Sequence, residues 1–260
     1  MGHLHDSGGR GGNNRHHAVQ RRRPHRGTGL MNQAGAGKAQ HGSEHSTGNS
    51  LRAEQKGASM KSTAEAVFDQ AYYERYYFNH KTRVVDPDHI NRLGAFVCSY
   101  VRQLRVPVSR VLDIGCGIGL WQEQIARHLP HARYRGVEFS EYLCQRFGWE
   151  RGSVVDYQAV QPYDLVICQG VLPYLDSNDL HKALHNLAAL CRGALYLEAV
   201  TAEDWAADVV DEKLTDARQF KHPAQAYRDG LAPHFIEMGG GLWLSREADV
   251  PVFALERPVP

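Results

Sequence analysis

The first 59 residues contain no phenylalanine, tryptophan, tyrosine, isoleucine or cysteine. A segment so poor in large apolar side chains cannot bury enough surface to offset its ordering entropy, so it is expected to be disordered. It is rich in Gly, His, Ser, Asn and Arg, and it carries 9 basic residues against 3 acidic ones. Residues 60–260 hold the other 21 basic and 26 acidic residues, so the overall charge of +1 hides a basic tail on an acidic domain. A basic tail can hold nucleic acid loosely. Its histidines (His3 with His5, His16 with His17) can hold a metal weakly, and a solvated tail needs neither partner. The acidity of the remainder argues against a nucleic-acid substrate. Patterned sequence starts abruptly at Met60, which raises the expectation that translation begins there or at Met31.

Other absences narrow the class further. No apolar run approaches the length needed to span a bilayer, and the N-terminus has no apolar stretch of signal-peptide type. The five cysteines (Cys98, Cys116, Cys144, Cys168 and Cys191) form no C-x-x-C pair. Several fall in predicted strands or helices, which fits reduced core thiols in a cytoplasmic protein. No internal repeat is visible. About 200 residues remain beyond the tail, enough for one α/β domain with a substantial core.

What is present is concentrated at residues 111–119, Val-Leu-Asp-Ile-Gly-Cys-Gly-Ile-Gly. Val111, Leu112 and Ile114 supply a strand of the kind buried inside a parallel sheet. Gly115, Gly117 and Gly119 allow a sharp turn and a close backbone approach to a ligand. Leu120, Trp121, Ile125, Ala126 and Leu129 then recur at helical spacing. A dinucleotide-binding turn has the same outline, but its third glycine falls where Leu120 stands here. Asp113 adds an electrostatic argument. A diphosphate on the helix N-terminus would be repelled by a carboxylate two residues before the loop, whereas an ammonium and a sulfonium would be attracted.

The acid and three glycines resemble the first motif of the class I S-adenosylmethionine-dependent methyltransferases. The resemblance continues in order to about residue 200. Tyr134 to Glu138 resemble the second strand and its terminal acid, which in the family holds the ribose; Glu138 lies 25 positions after Asp113. Phe139 follows and is placed to pack on the adenine. Ser153 to Asp156 resemble the short third strand, with Asp156 near the adenine amino group. Tyr163 to Gln169 resemble the fourth strand, whose end passes the methionine part, so Gln169 and Gly170 join the implied cofactor site. Ala194 to Glu198 read as a fifth strand, preceded by a helix capped at Ser177. The implied cofactor-binding set is therefore Asp113, Gly115, Cys116, Gly117, Gly119, Glu138, Phe139, Asp156, Gln169 and Gly170. Cys116 reads as a small residue that fits the loop rather than as a nucleophile.

The implied fold is a Rossmann-like, mostly parallel seven-stranded sheet with helices on both faces and an antiparallel last strand. Two N-terminal helices are expected within residues 60–108. The first begins at a capping box of Ser62 and Glu65, and the second opens at Pro87 with Ile90, Leu93, Phe96, Val97, Tyr100, Val101 and Leu104 inward. Residues 201–235 have no counterpart in a minimal sheet and read as a substrate lid. Gly239 to Gly241, Leu242 to Leu244 and Val252 to Leu255 suggest the closing hairpin.

Methyl transfer from a sulfonium is an in-line displacement in which the enzyme mainly orients and desolvates. A base is needed only if the acceptor must lose a proton. Tyr73, Tyr77 and His222 are candidates for contact with the reacting groups, while Tyr72 and Tyr76 read as core contacts of the same helix. His181 and His185 are four apart on a helix, but no adjacent acid completes a metal site, and no metal is expected. The chain has neither an Asp/Asn-Pro-Pro-Tyr after the fourth strand nor a Pro-Cys pair, which favours a small-molecule acceptor over a nucleobase. A nicotinamide oxidoreductase and a non-catalytic cofactor-binding regulator remain the alternatives; the chain does not indicate an oligomeric state.

Overall fold

A computed structural model of the chain describes residues 68–83, 87–207, 209–212 and 215–256. The tail of residues 1–59 and the capping box at Ser62 and Glu65 lie outside the described residues. The elements in chain order are a short helix α1 (Gln70–Tyr73) running into a π-helical turn (Glu74–Phe78), α2 (Pro87–Gln103), β1 (Arg110–Ile114), α3 (Leu120–His128), β2 (Arg133–Glu138), α4 (Glu141–Phe147) and β3 (Glu150–Arg151). There follow β4 (Tyr163–Gln169), a 3-10 turn (Leu172–Tyr174), α5 (Ser177–Leu190), β5 (Cys191–Glu198), α6 (Ala202–Ala206), α7 (Ala224–Leu231), β6 (Phe235–Gly239), β7 (Leu242–Ser245) and a last 3-10 turn (Ala254–Glu256).

The strands form one sheet in the order β3-β2-β1-β4-β5-β7-β6. Strands β1 to β5 pair in parallel, and β7 runs antiparallel to both neighbours, β5 and β6. Strand order reverses between β1 and β4, the point where open α/β sheets hold ligands at their carboxyl ends. The expected sheet with its antiparallel last strand is therefore the one observed.

The alternation of side chains along the central strands divides the core in two. On one face Leu112 and Ile114 of β1, Val166 and Cys168 of β4 and Leu195 of β5 meet Leu180, Leu184 and Leu187 of α5. On the other, Val111, Leu165, Ile167 and Ala194 meet Val97 and Val101 of α2 and Trp121 and Ile125 of α3. Strands covered on both faces read as continuous apolar runs, which is why they were legible. At the opposite, amino-terminal edge, the Asp164 carboxylate accepts from the Ser109 amide and hydroxyl (both 2.8 Å), the Arg110 amide (2.9 Å) and Arg192 Nε (2.7 Å). Burial pushes this acid up, but its donors together hold it below the usual carboxylate range.

Several local expectations are corrected. Residues 153–156 form a turn, not a strand; β3 is the pair Glu150–Arg151, set beside Val137 and Glu138 of β2. The cap of α5 is Asp176, not Ser177: its Oδ1 accepts from the amides of Asn178 (3.0 Å) and Asp179 (2.9 Å). Within the segment expected as a lid, α6 begins on a capping box of Thr201 and Asp204. The closing hairpin pairs β6 with β7 across Gly239 to Gly241, and residues 252–255 add no strand. Phe96 is 45% exposed and stacks on Tyr100 instead of facing inward. Among the described residues no helix is long and apolar enough to cross a membrane.

Candidate active site

The glycine turn leaves β1 with all three glycines at positive φ, +78° at Gly115, +55° at Gly117 and +82° at Gly119. The reasons differ. A Cβ on Gly115 would stand 2.2 Å from Val171 Cγ2, and one on Gly119 would stand 2.7 Å from Trp149 Cζ2, whereas one on Gly117 would meet nothing within 4 Å. Gly115 and Gly119 are therefore packed against neighbours, and the outer side of Gly117 is open. Gly115 to Ala is expected to lower the melting temperature by about 5–10 °C, since backbone strain adds to a hard overlap. The double change with Val171 to Ala should recover part of the loss. Gly117 to Ala should leave the fold near wild type, at about 1 kcal/mol of strain, yet weaken any ligand held by the loop. Thermal melts of the four proteins check this; equal losses for the two single changes would contradict it.

Glu138 ends β2 and is only 5% exposed. Its Oε2 accepts from the Gly117 amide at 2.7 Å, and its Oε1 accepts from the amides of Phe139 and Ser140, each at 2.9 Å. Burial raises this acid, and the three amides act against the rise. A carboxylate offers about four acceptor sites, so one on Oε2 remains beside the open face of Gly117. The pair is fixed from the strand side too, as the amides of Gly115 (2.8 Å) and Cys116 (3.1 Å) both donate to the Val137 carbonyl.

Asp113, the acid of the first motif, lies inside the fold. It is 2% exposed, and the Tyr134 hydroxyl donates to its Oδ2 at 2.6 Å. Burial is the main cause that pushes it up to about 7; Tyr134 opposes the rise and the nearby Glu138 charge adds to it. Cys116 is buried as well, and its thiol is pushed up by burial and then by Asp113 and Glu138, so it is no thiolate.

The structure brings most of the remaining residues to the same edge. Phe139 is half-buried next to Glu138. Gln169 is held between the Trp121 indole N–H, which donates to its Oε1 at 2.7 Å, and Glu198, whose Oε2 accepts from Gln169 Nε2 at 3.1 Å and from the Tyr196 hydroxyl at 2.8 Å. Gly170 sits at φ +68° with its amide on the Glu198 carbonyl (2.9 Å) and an open Cβ position. Asp156 is not gathered with them. The turn at 153–157 carries it to the surface, into an open groove with Gln158, His181, Lys182 and His185. Among the described residues no three ligands are grouped to hold a metal.

A roof crosses this edge. The Ser140 hydroxyl donates to the Phe68 carbonyl at 2.7 Å on the β2 side. On the β4 side, the Phe68 ring packs edge-on against Tyr174 at 5.0 Å, and the hydroxyls of Tyr72 and Tyr174 are 2.9 Å apart. Tyr72, Tyr73 and Tyr76 are all buried, so Tyr73 shares the packing role expected of the other two. Tyr77 is half-buried, with its ring against those of Tyr72 and Tyr73; burial raises its hydroxyl, the charges of Tyr174, Glu138 and Asp216 add to the rise, and a hydrogen bond with Tyr72 opposes it. The segment expected as a lid is zipped to the turn after β4. The Phe220 amide donates to the Pro173 carbonyl at 2.7 Å, and His222 Nε2 lies 2.8 Å from the Leu175 carbonyl. His222 is thus buried and tied to backbone, which removes it from the reacting side. Arg218, missed in the sequence, is clamped by the buried Asp216 (Nε to Oδ1 2.9 Å, Nη2 to Oδ2 2.8 Å) and lies over the Tyr72 ring.

Residues 112–193, from β1 to the start of β5, match the family model described as a methyltransferase domain. That segment is a methyltransferase domain of the class I S-adenosylmethionine-dependent kind. The fold of the chain is similar to that of a magnesium protoporphyrin IX methyltransferase from Synechocystis, solved with bound SAM (TM-score 0.50, 15% identity, 74% of this chain and 97% of that one) and with bound SAH (TM-score 0.51, 18% identity, 71% and 97%). It is 31% identical over 75 residues to trans-aconitate 2-methyltransferase of Pseudomonas paraeruginosa, covering 26% of this chain and 27% of that protein. To ubiquinone biosynthesis O-methyltransferase of Coxiella burnetii it is 26% identical over 149 residues, covering 48% and 62%. The chain spans less than two thirds of the length of the curated relatives it matches.

Proposed function

We propose that the chain binds S-adenosylmethionine at the edge formed by Gly115 to Gly119 and Glu138 and transfers its methyl group to a small-molecule acceptor. The observation that carries the reading is the remaining acceptor site on Glu138 Oε2, next to the open face of Gly117. A ribose hydroxyl fits that lone pair, and backbone without a Cβ lets the sugar approach. Gln169 and Gly170 at the end of β4 border the methionine part of the cofactor. Phe139 is placed for its adenine. Asp113 lies behind the loop, where its negative form favours a cationic ligand through the fold rather than by direct contact.

The cofactor supplies an already activated methyl group. The protein's part is to align the acceptor and exclude water. Support for a small acceptor comes from the roof, in which Phe68, Tyr72 and Tyr174 close the edge against anything bulky. With Tyr73 and His222 buried in packing contacts, half-buried Tyr77 is the remaining candidate for contact with the reacting groups. The test is titration calorimetry with S-adenosylhomocysteine and, separately, NADH, followed by a screen of metabolite extracts with labelled methyl donor. Binding of the homocysteine product without NADH binding is expected, with label passing to a small molecule. Binding of NADH in its place would overturn the reading.

A further inference from the structure

We propose that Trp149 is a positioning residue for the cofactor loop, acting through the hydrogen bond from its indole N–H to the Gly117 carbonyl. The inference rests on the cofactor reading above. Gly117 is gripped from two sides. Its amide donates to Glu138 Oε2 at 2.7 Å, and its carbonyl accepts from Trp149 Nε1 at 3.0 Å. The two partners lie at the end of β2 and just before β3, adjacent strands that share a register of Val137 with Glu150 and Glu138 with Arg151. The loop apex is thereby tied to two strands it does not itself extend.

The indole is also wedged in place. An added Cβ at Gly119 would come within 2.7 Å of its ring, and one at Gly136 within 2.9 Å. Two glycines on different elements thus make room for one side chain. Gly148 at φ +73° ends α4 and turns the chain so that the next residue points back under the loop. Such packing fixes the ring, and the ring then sets the orientation of the peptide that follows Gly117.

Besides these two grips, the turn around Gly117 is closed by one backbone bond, from the Gly119 amide to the Cys116 carbonyl at 2.9 Å. Without the indole N–H, the 117–118 peptide keeps that turn bond but loses its tether on the β3 side, and the Gly117 amide approaches Glu138 less firmly. The carboxylate would then present its remaining lone pair in a range of directions. Trp149 therefore acts on cofactor affinity through Glu138 and has no need to touch the cofactor.

The test replaces Trp149 in the full chain with 3-benzothienylalanine, which keeps the ring shape and puts sulfur where the N–H stood. S-adenosylhomocysteine affinity is measured by calorimetry in the wild-type and Glu138→Gln backgrounds, with thermal melts of the ligand-free proteins. A five- to tenfold loss of affinity is expected in the wild-type background, about the worth of one hydrogen bond, with the ligand-free melting temperature within about 2 °C. In the Glu138→Gln background the loss should shrink to twofold or less, the coupling expected of residues acting through one peptide. Equal affinity with and without the N–H overturns the proposal. So does a loss of equal size in both backgrounds, or a substituted protein that melts early or fails to fold, since packing then explains it. If wild-type protein binds no S-adenosylhomocysteine, the cofactor reading fails instead, and Trp149→Phe melts would still report whether the ring is structural.

Discussion

Glu138→Ala is expected to lower S-adenosylhomocysteine affinity at least about 100-fold and to destabilise the ligand-free protein by about 2–4 kcal/mol. Both effects come from one side chain with two tasks. It offers the acceptor for the ribose, and it also satisfies three backbone amides, those of Gly117, Phe139 and Ser140. Removing it leaves three donors without a protein partner at a largely buried position. An unpaired buried donor costs about 1–3 kcal/mol, and water entering the vacated space returns part of that. Glu138→Gln keeps one carbonyl oxygen but brings an NH2 against backbone donors, so it should fall between. Urea melts and calorimetry check the pair of effects. If the affinity drops and the stability does not, the three amides are not held as described.

Asp113→Asn should stabilise the ligand-free protein at pH 8 by as much as about 4 kcal/mol, the equivalent of moving a carboxyl from 3.8 to about 7. The sign follows from where the proton sits. Between 3.8 and about 7 the folded protein keeps the Asp113 proton and the unfolded chain does not. The contribution to stability is therefore full below 3.8 and is lost as pH rises through about 7. Asparagine keeps an oxygen to accept from the Tyr134 hydroxyl and carries no charge to bury. Urea melts of both proteins from pH 5 to pH 8 should diverge with rising pH. Parallel curves would show that Asp113 titrates as an ordinary acid. The same substitution should weaken S-adenosylmethionine binding, because a neutral amide offers a cationic ligand less.

The fold was legible where the chemistry is local. The central strands β1, β4 and β5 are apolar on both faces, so each shows as an uninterrupted run. Proline at the start of α2 and glycines between β6 and β7 mark their boundaries by backbone preference alone. β3 is not legible, because a two-residue strand has no periodicity and its pairing with β2 is a matter of position in space. Asp176 and Ser177 are both residue types that cap helices, and only the hydrogen bonds assign the role to Asp176.

The candidate site divides in the same way. Three glycines and an acid at the end of β2 are determined by the sequence, because each answers a demand of its own backbone position: a left-handed turn at Gly115, Gly117 and Gly119, and a strand end at Glu138. Tertiary structure alone decided which side chains meet there. It put Tyr134 on Asp113, Trp149 under Gly117 and Asp216 with Arg218 over Tyr72, and it sent Asp156 to the surface and His222 into a buried contact with Leu175. Most of these contacts join residues from separate elements, and their directions are set by how helices and strands pack rather than by spacing along the chain.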